Sequence, residues 1–169
     1  MNYPNRQSVR VKWNTYQNGC YFITVCTKNK IHYFGEIINN EMQFTPLGLE
    51  LQKIIENTPL VRNDQYIEIP IYTVMPNHFH FIITINYKTD RHQHYFGAQR
   101  KNLSSIVRGV KSKLTSFAIH NNISFQWQSG FHEHIIKMNV RFPTYMIMCK
   151  IMLSIGRKIV FTNKHLMLG

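Results

Sequence analysis

Apolar and polar positions alternate in several short runs of this chain, and between them two stretches repeat with the period of a helix. Gly19-Cys20-Tyr21-Phe22-Ile23-Thr24-Val25-Cys26-Thr27 is dense in aromatic and β-branched residues and predicts a buried strand. Phe34 to Ile38 and Glu41 to Thr45 flank Asn39-Asn40, the mark of a short hairpin. Thr45 caps a helix with Pro46 at its first position, and Leu47, Leu51, Ile54 and Ile55 recur at helical spacing up to about Asn57. Tyr66 to Met75 predicts a second core strand, with Pro70 marking an edge or bulge, and His78 to Asn86 a third. A polar loop from Tyr87 to Lys101 leads into a second helix, Leu103 to His120, capped by Asn102 or Ser104. Phe125 to Gln128 predicts a short strand and His132 to Ile136 an edge strand. This order suits an α+β sandwich, with helices packed on one face of an antiparallel sheet.

The third strand carries the most informative chemistry. Side chains alternate faces along a strand, so His78 and His80 point one way and Phe79 the other. Two imidazoles on one rigid face can grip a single divalent ion. The plain alternative is a pair of satisfied histidines at a sheet edge. His92 and His94 share the spacing but lie in the polar loop, where solvent or phosphate is the expected partner. His132 and His134 flank Glu133 on the edge strand, and one face of that strand is placed to support the site as ligand or outer partner. Tyr21, Phe22, Tyr72, Phe79, Phe81 and Trp127 are expected mainly in the core.

Length and charge narrow the picture. The chain has 169 residues, enough for one domain with a true core, and 44% of them are apolar. No apolar run is long enough to span a bilayer, and Met1 to Gln7 lacks the apolar centre of a signal peptide. Cys20, Cys26 and Cys149 have no metal-site spacing and read as reduced thiols of a cytoplasmic protein. Twenty Lys and Arg against eight Asp and Glu give a net charge of +12, which points to a polyanionic partner, nucleic acid first and an anionic membrane surface second. The basic residues cluster at Arg6, Arg10 and Lys12, at Arg91, Arg100 and Lys101, and at Arg108, Lys111 and Lys113.

Val74-Met75-Pro76-Asn77-His78-Phe79-His80 resembles the HUH motif of the single-tyrosine transposases, most nearly the REP-associated tyrosine transposase branch. Tyr21 to Thr27 with Tyr33 to Ile37, Leu103 to Ser112, and Phe125 to Ile136 resemble further segments of that family in the same order. The resemblance implies a ferredoxin-like fold for residues 1–137 and a metal-assisted strand transfer on single-stranded or hairpin DNA. It makes His78 and His80 the ligands of Mg²⁺ or Mn²⁺. The basic clusters then supply the expected DNA contacts, Arg6, Arg10, Lys12, Arg100, Lys101, Arg108, Lys111 and Lys113. The protein would act as a monomer or homodimer, away from any membrane.

The family pattern breaks in the tail, residues 138–169, where a helix bearing the nucleophilic tyrosine is expected with an asparagine four residues on. Read one base out of register, Met146-Ile147 gives Asp, Ile147-Met148 can give Tyr, and Lys150-Ile151 can give Asn, close to that helix. A one-base slip near codon 138 is therefore expected to have replaced the native end. In the chain as it stands Tyr145 is the tail's sole tyrosine and the candidate nucleophile, on a tail able to form one helix. A non-catalytic remnant that still binds hairpin or single-stranded DNA is the alternative function. An unrelated metal hydrolase is disfavoured by the scarcity of acids near the core strands. An RNA-binding sheet would instead expose aromatics on its two central strands.

Overall fold

The computed structural model describes residues 19–62, 66–86 and 102–136 and the backbone of 160–161. In chain order its elements are β1 (Gly19–Cys26), a 3₁₀ turn (Lys28–Lys30), β2 (Gly35–Ile38), β3 (Glu41–Phe44), α1 (Pro46–Val61), β4 (Tyr66–Met75), β5 (His78–Asn86), α2 (Leu103–His120), β6 (His132–Ile136) and β7 (Val160–Phe161). β2 and β3 form a separate hairpin, and the main sheet runs β6-β1-β5-β4-β7 with every pair antiparallel. The crossover from β1 through α1 to β4 leaves a slot one strand wide, and β5 fills it. The second crossover, through α2, carries β6 to the far side of β1. This is the ferredoxin-like α+β arrangement.

Both helices cover one face. Tyr21, Ile23 and Val25 of β1, Phe79, Phe81 and Ile83 of β5, and Tyr72 and Val74 of β4 join Leu51 and Ile55 of α1 and Ile106, Val110 and Leu114 of α2 in one buried cluster. Each such side chain withdrawn from water stabilises the fold by roughly 1.5–3 kcal/mol before the entropy of ordering is counted. Tyr72 also donates to Glu56 Oε1 at 2.5 Å, tying β4 to α1, and burial with that carboxylate raises its pKa. The opposite face carries a smaller cluster of Cys20, Ile71, Ile82 and Ile136, with Phe22 half-buried against it. Among the described residues no helix is long and apolar enough to cross a membrane.

Two elements differ from their sequence patterns. α1 continues past Asn57 to Val61, with Pro59 inside it. Pro59 removes one hydrogen bond near the helix end, while Thr58 is buried and its hydroxyl bonds back to the Ile54 carbonyl. Phe125 to Gln128 makes a single bridge, Trp127 to Thr27, because β1 ends there and the chain turns away at Lys28. In the tail, Val160–Phe161 pairs with β4 as a strand the sequence pattern did not show; elsewhere among the described residues the patterns hold. The register of β4 shifts between Glu68 and Ile71, around Pro70. Asn102 is the N-cap of α2, in a reciprocal capping box with Ser105.

Gly48 sits where α1 passes under the Phe34 carbonyl, which accepts from Thr45 N at 3.0 Å. A β-carbon at position 48 would strike that carbonyl oxygen. Gly48→Ala is expected to lower stability by on the order of 3 kcal/mol, read as a reduced urea midpoint with an unchanged slope.

Candidate functional site

The site begins at the tight turn between β4 and β5. The Pro76 carbonyl accepts from Phe34 N at 3.0 Å, and the Asn77 carbonyl accepts from Thr27 N at 2.9 Å, so the turn is bonded to its surroundings on both sides. β5 then enters with strict alternation. Phe79 is fully buried on the helix face, stacked on Phe81 and edge-on to Trp127. His78 and His80 emerge together on the opposite face, their ring centroids 4.7 Å apart and their planes at 76°. His78 lies opposite Cys26 of β1 and Met75 of β4; His80 lies opposite Thr24 and Thr73.

Each ring is oriented by its Nδ1. Asn77 Nδ2 donates to the Lys30 carbonyl at 3.1 Å, which turns Asn77 Oδ1 toward His78 Nδ1 at 2.6 Å. An amide oxygen only accepts, so His78 Nδ1 carries the proton and the lone pair of the neutral ring lies on Nε2. His80 Nδ1 is 2.8 Å from Thr24 Oγ1, and Phe22 stacks on the His80 ring at 5.1 Å and 21°. Any ligation by either ring therefore runs through Nε2, with Nδ1 serving as the orienting atom. Thr73, beside His80 on β4, is 1% exposed, and its hydroxyl has no hydrogen-bond partner among the described residues. A buried orphan of this kind costs about 1–3 kcal/mol unless a bound group satisfies it. The donor set, two imidazoles with a spare hydroxyl beside them, fits a divalent ion that takes its other ligands from oxygen. Among the described residues no group of three or more His, Cys, Asp or Glu is gathered for a metal.

β6 brings the second histidine pair to the same face. His132 lies opposite Thr24 and His134 opposite Phe22, so His132, Thr24, His80 and Thr73 form one row across four strands. Two strand spacings put the His132 backbone about 10 Å from that of His80, near enough for His132 to meet a ligand bound there. Both β6 histidines are exposed; Glu133 faces the helix side and is half-buried. On this face β5 presents His78 and His80 and β6 presents His132 and His134, while β1 between them contributes Thr24 and the half-buried Phe22.

The basic helix lies elsewhere. Arg108 and Lys113 are exposed on α2, which covers the face opposite the histidines. Lys111 is drawn into the fold: its ammonium donates to the Gln128 and Gly130 carbonyls at 2.8 and 3.0 Å and lies 5.4 Å from the centroid of the Trp127 ring. Burial lowers its pKa. Arg6, Arg10, Lys12, Arg91, His92, His94, Arg100, Lys101 and Tyr145, and with Tyr145 the shifted reading of the tail, lie outside the described residues. Sequence reasoning missed Asn77, Thr24 and Thr73 as partners of the histidines. Asn77 was legible as the neighbour of His78; the threonines become neighbours only once strand register is known.

No family model matches the chain. A Haemophilus influenzae protein described as uncharacterized is 37% identical over 149 residues, 79% of this chain and 79% of that one. The structure of a REP-associated tyrosine transposase bound to a REP hairpin superposes with a TM-score of 0.55 at 20% identity, covering 86% of this chain and 73% of that chain. At that identity the likeness is one of fold, and the fold is transposase-like.

Asn77→Ala removes the acceptor that fixes the His78 tautomer. The ring is expected to move toward the Nε2–H form by on the order of 1 kcal/mol, read from imidazole ¹H–¹⁵N correlations, while His80 stays as it is.

Proposed function

We propose that this chain, which belongs to one family with the Haemophilus influenzae protein, is a transposase-like DNA-processing protein that nicks and rejoins single-stranded or hairpin DNA beside its histidine pair. The observation that carries the reading is the pairing of His78 and His80 on the face away from the helices, each ring held by its Nδ1. A strongly basic chain with the transposase-like fold supports DNA as the partner.

His78 and His80 would hold Mg²⁺ or Mn²⁺, and such an ion supplies Lewis-acid polarisation of a phosphodiester. Asn77 holds His78 in the required tautomer, and Asn77 and Thr24 hold the two rings in orientation. His132, exposed in the same row, is placed to meet a phosphate oxygen. Tyr21 and Tyr72 are buried in the helix layer, away from the histidine face. By the family resemblance the nucleophilic role would fall to Tyr145, the tail's sole tyrosine. Its oxygen would bond to phosphorus as the bond from phosphorus to the 3′ oxygen breaks, with the phenolic proton passing to the departing oxygen. One phosphodiester replaces another, so rejoining needs no external energy source.

Hairpin-bearing single-stranded DNA and Mn²⁺ are expected to give a covalent protein–DNA adduct on a denaturing gel. His78→Ala should lower its rate of formation by about 100-fold or more and leave the DNA affinity measured without metal nearly unchanged; Tyr145→Phe should abolish the adduct. Salt-sensitive binding by the wild type with no adduct would identify the non-cutting hairpin-binding remnant instead.

A further inference from the structure

We propose that the cleft between the Lys28–Lys30 turn and the Phe125–Ser129 segment holds the sugar–phosphate backbone of a single DNA strand next to the histidine pair. The inference rests on the DNA-processing reading above and names where on the molecule the strand lies.

The cleft is an open trough of about 900 Å³ at the end of the sheet where β1 finishes. Lys28 and Lys30 line one wall and Gln126, Gln128 and Ser129 the other, with Phe125, Trp127 and Thr115 of α2 completing it, and among the described residues no acidic side chain lines it. Lys28 Nζ donates to Gln126 Oε1 at 2.7 Å. That partner is a neutral amide, so the ammonium charge is not cancelled. An anion there would meet two lysines on one side and amide and hydroxyl donors on the other.

The backbone of this turn is left-handed at two positions, as it is at Asn39 and Asn40 of the β2–β3 hairpin. Asn29 has φ 55° and Lys30 φ 56°, two successive non-glycine residues in the left-handed region. Such conformations persist only where surrounding bonds impose them, and they concentrate at ligand-contacting segments. The bonds that impose them lead to the histidine site. Thr27 N donates to the Asn77 carbonyl, and Asn77 Nδ2 holds the Lys30 carbonyl. The other side-chain atom of the same asparagine, Oδ1, orients His78. One residue therefore sets both the cationic turn and the first imidazole, so a strand lying on the lysines is presented to the histidine pair in a fixed relation.

The ring surfaces say which part of the strand is held. Trp127 is edge-on to Phe125 and Phe79, tilted against Phe34, and approached by the Lys111 ammonium. Trp127 and Phe125 also line the trough and give it an apolar part, while its lysines and amide groups grip phosphates without regard to sequence.

The test measures the affinity of the full chain for a single-stranded oligonucleotide by fluorescence anisotropy over a range of salt. On single strands each phosphate contact contributes about 0.7 to the slope of log affinity against log salt. Lys28→Gln with Lys30→Gln should make the slope shallower by about 1.4. In the wild type, DNA should shield Lys28 and Lys30 from acetylation relative to Lys53, which lies on the outer side of α1. Wild-type binding with an unchanged slope in the double variant, or with no selective shielding, overturns the cleft and leaves the DNA-processing reading standing. Absence of salt-dependent binding by the wild type overturns both.

Discussion

The parity of β5 is the constraint on which the rest depends. Phe79 is withdrawn completely from solvent among the helix-facing side chains, and its two neighbours are histidines. A slip of one residue in the register of β5 would send Phe79 to the open face and two polar rings into an apolar core. Phe81, Ile83 and Ile85 are buried at the same parity and would be expelled with it. The imidazole pair is therefore held by the hydrophobic effect acting on residues that take no part in its chemistry. β1 and β4 on either side complete the clamp, since a strand bonded along both edges has no freedom to roll.

Packing fixes the face, and hydrogen bonds fix the rings. Without such partners an imidazole on a strand keeps a broad second torsion; Thr24 narrows it for His80, and Asn77 narrows it and selects the tautomer for His78. Both partners are themselves restrained: Asn77 by the Lys30 carbonyl, Thr24 by its place on β1, which is paired along both edges. Phe22 adds a flat wall against His80. Thr73 is the unfinished part of the arrangement, a buried hydroxyl placed beside the ring with no partner of its own among the described residues. Structures leave few such atoms unmet, and those that remain tend to mark a place where something binds.

Much of this was legible in the sequence. Residue types and periodicity gave the four long strands, the hairpin and both helices. The alternation in His78-Phe79-His80 gave the facing of the pair, and the parity of β6 gave the facing of His132 and His134. What the sequence withheld was pairwise. Nothing local says that Thr24 stands across from His80, because that follows from the register of strands 56 residues apart. Lys111 looked like its neighbours Arg108 and Lys113, yet it lies where the turn at Gly130 brings two carbonyls to its ammonium. Helical spacing distinguishes faces, and it does not say which loop will pack over one of them. The extension of α1 through Pro59 was hidden for a related reason. Proline reads as a stop, and only the burial of Thr58 against neighbouring elements shows why the helix continues.

The placement of charge bears on how such a site would work. α2 and the histidines lie on opposite sides of the sheet, so Arg108 and Lys113 act on a nucleic acid at the His78 face only as distant charges, largely screened at physiological salt. Charges that bear on the site must lie at its own end of the sheet, and among the described residues Lys28 and Lys30 do so. Two imidazoles alone make an incomplete shell for a hard cation, which favours oxygen donors. Under the proposed function the missing oxygens come largely from the phosphodiester. Metal and DNA would then each raise the affinity for the other by the same factor, as linkage requires. A pair of histidines would in that case be better suited to its task than a full cage of side chains, because the ion would be held firmly only when the strand to be cut is in place.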